Sequence, residues 1–483
     1  MYDVYDHIVI GAGLGGLAAA ALLQQRDRRV LLLEAHSGVG GCASYFARKK
    51  FLFDVGATTL SGMGHRQPVQ RLLRELGIDL GMTLCDPGMS IRIGDVTLQR
   101  WIDRDRWIAE CERVFGPHRQ REFWTLVHDT AAKAWEATAD LTYLPVRRAA
   151  DVLRLPSALK HAGLLPPLFR SVADILQELG LIEHRLFVRF LNEQLMITAQ
   201  ATVHDTPFIV GALGLAYPAD TWYVHGGMNM LPRALAKKFT DDGGTLLLKK
   251  RVTEIGAEKM KFVRTDDGKV FYGRHVISNA TGWDTGAIAP AHEQYFRKEY
   301  DHLGGWGAFT AYIGMTDVAP SSPYQQIIME GPLPHCASES LFLSWSLAAD
   351  GSRAPEGYRT LTVSTHLPDP HQWWKIGPEA STQRKETIAA AMMAVLDRVV
   401  PGFRNAEKPV VMFGTPVTFA NFTHRKYGQV GGIPHSMHRP LFFWPGPNTP
   451  DRSLSLVGDT VYPGQGAPGV ILGALNLVDR LTR

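Results

Sequence analysis

Residues 11–16 read G-A-G-L-G-G, and the residues on either side decide what such a turn can belong to. Before it stands His7-Ile8-Val9-Ile10, a short apolar strand; after it, Leu17 to Leu23 is a run of strong helix formers. A second apolar strand spans residues 29–33 and ends on Glu34. Strand, glycine turn, helix, strand and acid within about 30 residues make a βαβ unit. Gly11 permits the tight turn, Gly13 lets a phosphate approach the backbone, and Gly16 lets the helix sit on the strand. The exposed N–H groups of the helix start, at Leu14 and beyond, suit a dinucleotide's diphosphate, and Glu34 suits a ribose. G-Q-G-A-P-G at residues 464–469 repeats the spacing with no βαβ unit around it.

Downstream, Gly38-Val39-Gly40-Gly41-Cys42-Ala43-Ser44 is followed by Phe51-Leu52-Phe53-Asp54-Val55-Gly56-Ala57-Thr58-Thr59. A nicotinamide domain needs no second glycine pair here, whereas a flavin needs close backbone approach along its ribityl chain and ring. The reading therefore moves from NAD to FAD. Residues 37–59 resemble the second glycine motif of the flavin amine oxidase and carotenoid desaturase superfamily, which implies Gly41, Ser44 and Gly56 as cofactor contacts. Tyr223-Val224-His225-Gly226-Gly227-Met228, with Leu231 and Leu235, resembles that superfamily's GGM helix. Lys250 to Ile255 resembles the strand whose valine, here Val252, holds adenine through its backbone. Gly458-Asp459 and Gly464 to Val470 resemble its flavin-contacting end. That likeness implies Gly458, Asp459, Gly469 and Val470 as contacts. Asp459 would accept from a ribityl hydroxyl, Gly469 would allow close backbone approach, and a helix starting near Ala467 would face the flavin N1/C2=O edge.

Within the superfamily the chain looks most like the phytoene desaturase, carotenoid isomerase and carotenoid 3,4-desaturase group. The resemblance implies an FAD-dependent oxidoreductase of carotenoid biosynthesis acting on a long apolar polyene, most simply a desaturase passing hydride to flavin. Quinone or oxygen would take the electrons. Alternatives are a flavin-dependent cis–trans isomerase, a flavin amine oxidase, and a non-catalytic prenyl-lipid binder resembling the Rab GDP-dissociation inhibitors. In one departure, many relatives place Arg directly after the glycine pair where this chain has Cys42, read as a small residue packing under the cofactor rather than a catalytic thiol.

The implied fold class is α/β, a Rossmann-like FAD-binding domain with an interleaved α+β substrate domain. The cofactor domain takes residues 1–65, 225–290 and 435–483, and the substrate domain residues 66–224 and 291–434. The first insertion reads as mostly helical. The second carries strands near residues 308–313, 326–329, 341–347 and 360–364, and one helix with Ile388, Met392, Val395, Leu396 and Val399 on a single face.

A chain 45% hydrophobic and 20% charged can bury a large core, and a net charge of +4 over 483 residues gives no nucleic-acid footprint. Four scattered cysteines form no C-x-x-C, so neither a disulfide framework nor a thiolate metal site is expected. His366, Asp369 and His371 are broken up by Pro368 and Pro370 and read as a polar strand end rather than a metal site. With no export signal and no spanning segment, the expected location is cytoplasmic, peripherally membrane-associated. The membrane surface enters through residues 146–172, where Arg147, Arg148, Arg154, Lys160 and Arg170 face a single acid, Asp151, among interleaved leucines. That segment is either a lipid-facing patch beside a tunnel for an apolar substrate or an amphipathic hairpin capping the insertion. Thr423-His424-Arg425-Lys426-Tyr427-Gly428 is a candidate active-site wall or a solvated basic turn. No general acid or base stands out.

Overall fold

Every residue of the strand Val30–Leu33 is buried, as expected of a parallel strand covered on both faces. It belongs to a seven-stranded sheet, here described from a computed structural model covering residues 4–145, 155–439 and 441–482. From one edge the strands run Val252–Ala257, Lys261–Thr265, Val270–Ser278, Val4–Ile10, Val30–Leu33 and Thr245–Leu247, with Leu454–Leu456 also paired to Val270–Ser278. Asp267 and Gly268 turn the antiparallel hairpin between the second and third of these. The parallel register aligns Ile10 with Ser278 and Leu33, Leu33 with Leu247, and Ser278 with Leu456. Five strands thus end at one edge. The residues that follow them, Gly11, Glu34, Asn279 and Gly458 among them, are delivered to the place where ligands bind in open α/β sheets.

The helix Leu14–Gln25 is buried from Gly15 to Leu23 because Met230–Asp241 and the C-terminal helix Gly466–Thr482 pack beside it. Its small residues allow that crowding: a Cβ on Gly16 would stand 2.1 Å from the Gly11 carbonyl oxygen.

A second seven-stranded sheet has the order Val410–Gly414, Gly307–Thr316, Tyr358–Leu367, Ser340–Trp345, Tyr324–Ile328, Met89–Ile93, Val96–Arg100. Its last two strands come from the first insertion, which is therefore not simply helical. Met89-Ser90-Ile91-Arg92-Ile93 alternates buried and half-buried side chains and pairs in parallel with Tyr324–Ile328. The long helix Gly377–Val399 lays Ile388, Met392, Val395 and Leu396 on this sheet as its periodicity predicts. It is joined in the second insertion by helices Glu293–Tyr300 and Pro416–Thr423, which the sequence reading had not placed. Helices of the first insertion gather around Trp107, Phe123, Trp124, Phe187 and Phe190.

A buried ion pair ties the turn that carries Arg353 to the short strand Phe51–Asp54. Arg353 of the second insertion meets Asp54 at 3.0 Å with both side chains about 95% buried. Asp54 also accepts from the Met228 N–H at 2.9 Å, and Arg353 Nε donates to the Leu52 carbonyl. The F-D-V-G segment and the glycine pair at residues 226–227 are held by one guanidinium.

Candidate active site

The common edge of the parallel strands opens into a continuous cavity of about 1400 Å³. That exceeds the roughly 300–1,000 Å³ of a single-ligand pocket, so there is room for two ligands end to end. One limb is built from glycine turns and charged groups, the other from apolar side chains.

Gly11, Gly13, Leu14, Glu34, Gly41, Ser44, Gly56, Val252, Gly458, Asp459, Gly469 and Val470 all line the first limb. Gly16 does not; its task is the close crossing of helix over turn described above. Gly13 precedes the helix Leu14–Gln25 and has no side chain to cap it, so the first-turn N–H groups are left for another acceptor. The second glycine motif is stapled to the first, Gly40 donating to the Ala12 carbonyl at 2.8 Å. Glu34 is already engaged by backbone, Oε2 accepting from Ala12 N at 2.6 Å and Oε1 from His36 N at 2.8 Å. A carboxylate has lone pairs to spare, so a ribose hydroxyl can still be received.

Asn279 is the residue that sequence reasoning missed. It donates through Nδ2 to the Val457 carbonyl at 2.9 Å, and its backbone N–H donates to Ile10. A Cβ on Gly13 would fall 2.7 Å from Asn279 Oδ1, and one on Gly458 2.8 Å from its Nδ2. The amide is wedged between two of the glycine motifs. The available signal was its place, a polar residue directly after a parallel strand, as Glu34 is.

Asp459 is also held within the protein, both its oxygens taking hydrogen bonds from Arg425 Nη2 at 3.0 and 2.9 Å, and like Glu34 it keeps lone pairs for a further donor. Arg425 also lies beside the Cys42 thiol, whose pKa burial raises against the pull of that guanidinium. Burial thus disfavours the Cys42 thiolate.

The C-terminal helix Gly466–Thr482 starts at the junction of the two limbs, with Ala467, Pro468, Gly469 and Val470 on the cavity wall. Gly469 serves the turn as well as the cavity, since a Cβ there would stand 2.9 Å from the Gly464 carbonyl oxygen. Opposite lies a neutral polar belt. Ser344 donates to Thr58 at 2.7 Å, Thr59 is hydrogen-bonded to Tyr217, and Tyr312 donates to the Val55 carbonyl. Burial pushes the Tyr217 phenol up to about 12 and the His366 and His435 imidazoles down to about 4. None of these is charged at neutral pH. Among the described residues no group of three His, Cys, Asp or Glu side chains is placed to hold a metal ion.

The second limb runs between Trp135, Leu141, Leu164, Leu168, Ile209 and Leu213. It reaches the surface where Leu159 is 74% and Leu165 50% exposed, with Phe169 at 58% nearby. Lys160 and Arg170 of this segment are paired with Asp140 and Glu178. Arg147, Arg148, Asp151 and Arg154 lie outside the described residues. No helix among the described residues is long and apolar enough to cross a membrane.

The model of the family described as flavin containing amine oxidoreductase matches residues 14–482. The chain is 27% identical to a chloroplastic prolycopene isomerase of an Oncidium hybrid cultivar, over 99% of this chain and 84% of that one. It is 26% identical to the lycopene-forming phytoene desaturase of Pantoea ananas, over 96% of each. Among solved structures, cyclohexylamine oxidase from Brevibacterium oxydans superposes over the whole of both chains with a TM-score of 0.61 at 15% identity, a likeness of fold.

Proposed function

This chain belongs to the flavin containing amine oxidoreductase family, and from that premise we propose that it is an FAD-dependent enzyme acting on a carotenoid-like polyene, most simply by desaturation. The observation that carries the reading is the single cavity that joins a glycine-cradled limb to a long apolar one. The donor set of the first limb suits FAD: uncapped N–H groups at Leu14 and beyond for the diphosphate, Glu34 for the ribose, the Val252 backbone for adenine, and Gly41, Ser44, Gly56 and Gly458 for close approach. Bound there, FAD would supply a two-electron acceptor for hydride.

The protein's own part is to position and to exclude water. The apolar limb offers a polyene contact along its length through Trp135, Leu141, Leu164, Leu168, Ile209 and Leu213. At the junction, the helix starting at Gly466 directs its positive end inward, which stabilises negative charge developing there. Thr58, Thr59 and Tyr217 stay neutral on the cavity wall, with the Asp220 carboxylate close to Tyr217. The exposed Leu159, Leu165 and Phe169 around the apolar mouth support entry of the substrate from a membrane surface.

A second reading, cis–trans isomerisation with reduced flavin and no net oxidation, is favoured by the match to prolycopene isomerases over 99% of this chain. Anaerobic mixing with a carotenoid panel separates the two. Desaturation bleaches the flavin and lengthens the product's conjugation, whereas isomerisation requires prior reduction and leaves conjugation length unchanged. If no polyene is altered with the flavin in either state, the proposal falls.

A further inference from the structure

We propose that Arg425, delivered by the second insertion, is a cofactor-binding residue that gives the FAD diphosphate its cationic contact; this rests on the flavin reading above.

The helix Pro416–Thr423 ends at His424, a non-glycine residue in the left-handed region with φ 56°, which folds the chain back across the first limb. Phe422, Thr423, His424 and Arg425 all line the cavity. His424 is placed among Glu34, His36 and Arg251, the adenosine end. Arg425, one residue on, is placed at Cys42 and Asp459. Two consecutive side chains therefore span the interval between Glu34 and Asp459, and in a dinucleotide the interval between adenosine ribose and ribityl chain holds the diphosphate.

Charge points the same way. Among the described residues the Lys and Arg side chains lining the cavity are Lys250, Arg251 and Arg425. Lys250 is taken by Asp267 and Arg251 is exposed, so Arg425, 17% exposed, is the cation within. Asp459 and Asp284 both stand close to it. A diphosphate entering beside two carboxylates would meet repulsion that the half-charge of a helix end does not offset. Arg425 has donors left for the purpose. Asp459 occupies Nη2 alone, and the solvent-shielded Nε has no hydrogen-bond partner among the described residues. A guanidinium can hold a carboxylate with one edge and a phosphate oxygen with another.

The test is titration of the deflavinated full-length protein with FAD, ADP and riboflavin. Arg425→Gln should weaken FAD and ADP by about ten- to hundredfold, the scale of a charge-assisted hydrogen bond, and leave riboflavin within about twofold. Arg425→Lys should keep part of the affinity. Because Arg425→Gln strands the Asp459 carboxylate, the double variant Arg425→Gln/Asp459→Asn is the control for folding and local charge. Persistence of the ADP loss in that variant supports a direct contact; full recovery would mean that Arg425 only neutralises Asp459 and would overturn the proposal. Unchanged ADP affinity in Arg425→Gln, or an equal loss for riboflavin, would overturn it too. Failure of the wild-type protein to bind FAD at all is a different result, and would sink the flavin reading itself.

Discussion

Asn279 is an uncharged residue on the cavity wall that holds two glycine turns together. Its amide fills the gap that the absent side chains of Gly13 and Gly458 leave, and its Nδ2 satisfies the Val457 carbonyl. Asn279→Leu keeps the volume and removes both hydrogen-bonding groups. We expect a loss of about 1–3 kcal/mol in stability, the cost of a stranded buried carbonyl, and a fall in flavin content out of proportion to it. Flavin content and a denaturant titration of the same preparation check this; a fully flavinated variant of wild-type stability would contradict it. At this scale the sequence was legible where partners are neighbours. Gly11, Gly13, Gly16 and Glu34 declare themselves by spacing, because one βαβ unit brings them together. Asn279 and Arg425 do not, because their partners come from other segments, Val457 for Asn279 and Asp459 for Arg425, 178 and 34 residues away. Cys42 is the clearest case. Its small side chain leaves room for the Arg425 guanidinium that lies beside it.

Among the elements, the buried pair that ties the Arg353 turn to the strand Phe51–Asp54 is open to a direct test. Arg353→Met leaves Asp54 buried without its cation, a situation worth roughly 3–5 kcal/mol of destabilisation. Adding Asp54→Asn should recover part of that loss, since the Met228 N–H keeps an acceptor. Chemical denaturation of the single and double variants measures both; equal losses in the two would show that packing, not charge, holds the joint. The turn before the C-terminal helix is similarly tight. Gly469→Val drives a Cβ against the Gly464 carbonyl and should shift the whole turn, giving folded but weakly flavinated protein. Flavin content and circular dichroism check it, and normal flavination would remove this turn from the cofactor's surroundings. Strands and helices with long periodic patterns, such as Gly377–Val399, were readable in advance. The pair Met89–Ile93 and Val96–Arg100 was overlooked although its alternation and its Gly94-Asp95 turn are present, because five-residue patterns are easily submerged in a helical stretch. Val410–Gly414 had no alternation to find. Its middle residues are half-exposed on a sheet edge, and only pairing with Gly307–Thr316 makes it a strand.

The whole molecule carries several imidazoles that folding keeps neutral. Burial, opposed only weakly or reinforced by nearby charges, lowers the pKa of His7, His128, His366 and His435 from 6.5 to about 4. Between those values the unfolded chain binds protons that the folded one refuses. Stability from this source is therefore complete above pH 6.5 and is lost as pH falls toward 4, with a limiting slope of about 1.4 kcal/mol per pH unit for each group. Denaturation midpoints that stay flat from pH 7 to 5, or unfolding without proton uptake at pH 5, would contradict this. The general architecture was open to sequence reading because the glycine motifs occur at both ends and the middle of the chain. The continuity of the cavity was not, since it depends on how two insertions face one another. The interleaving also imposes an order in time. Val270–Ser278 cannot gain its neighbour Leu454–Leu456 until both insertions have been synthesised. At 5–20 residues per second the ribosome needs on the order of ten to thirty seconds to travel from one strand to the other. Throughout that interval the nascent chain displays a half-made nucleotide cradle and the uncovered flank of its first helix. The nucleotide cradle is therefore closed by the last segment of the chain to be made, the strand Leu454–Leu456 and the helix Gly466–Thr482.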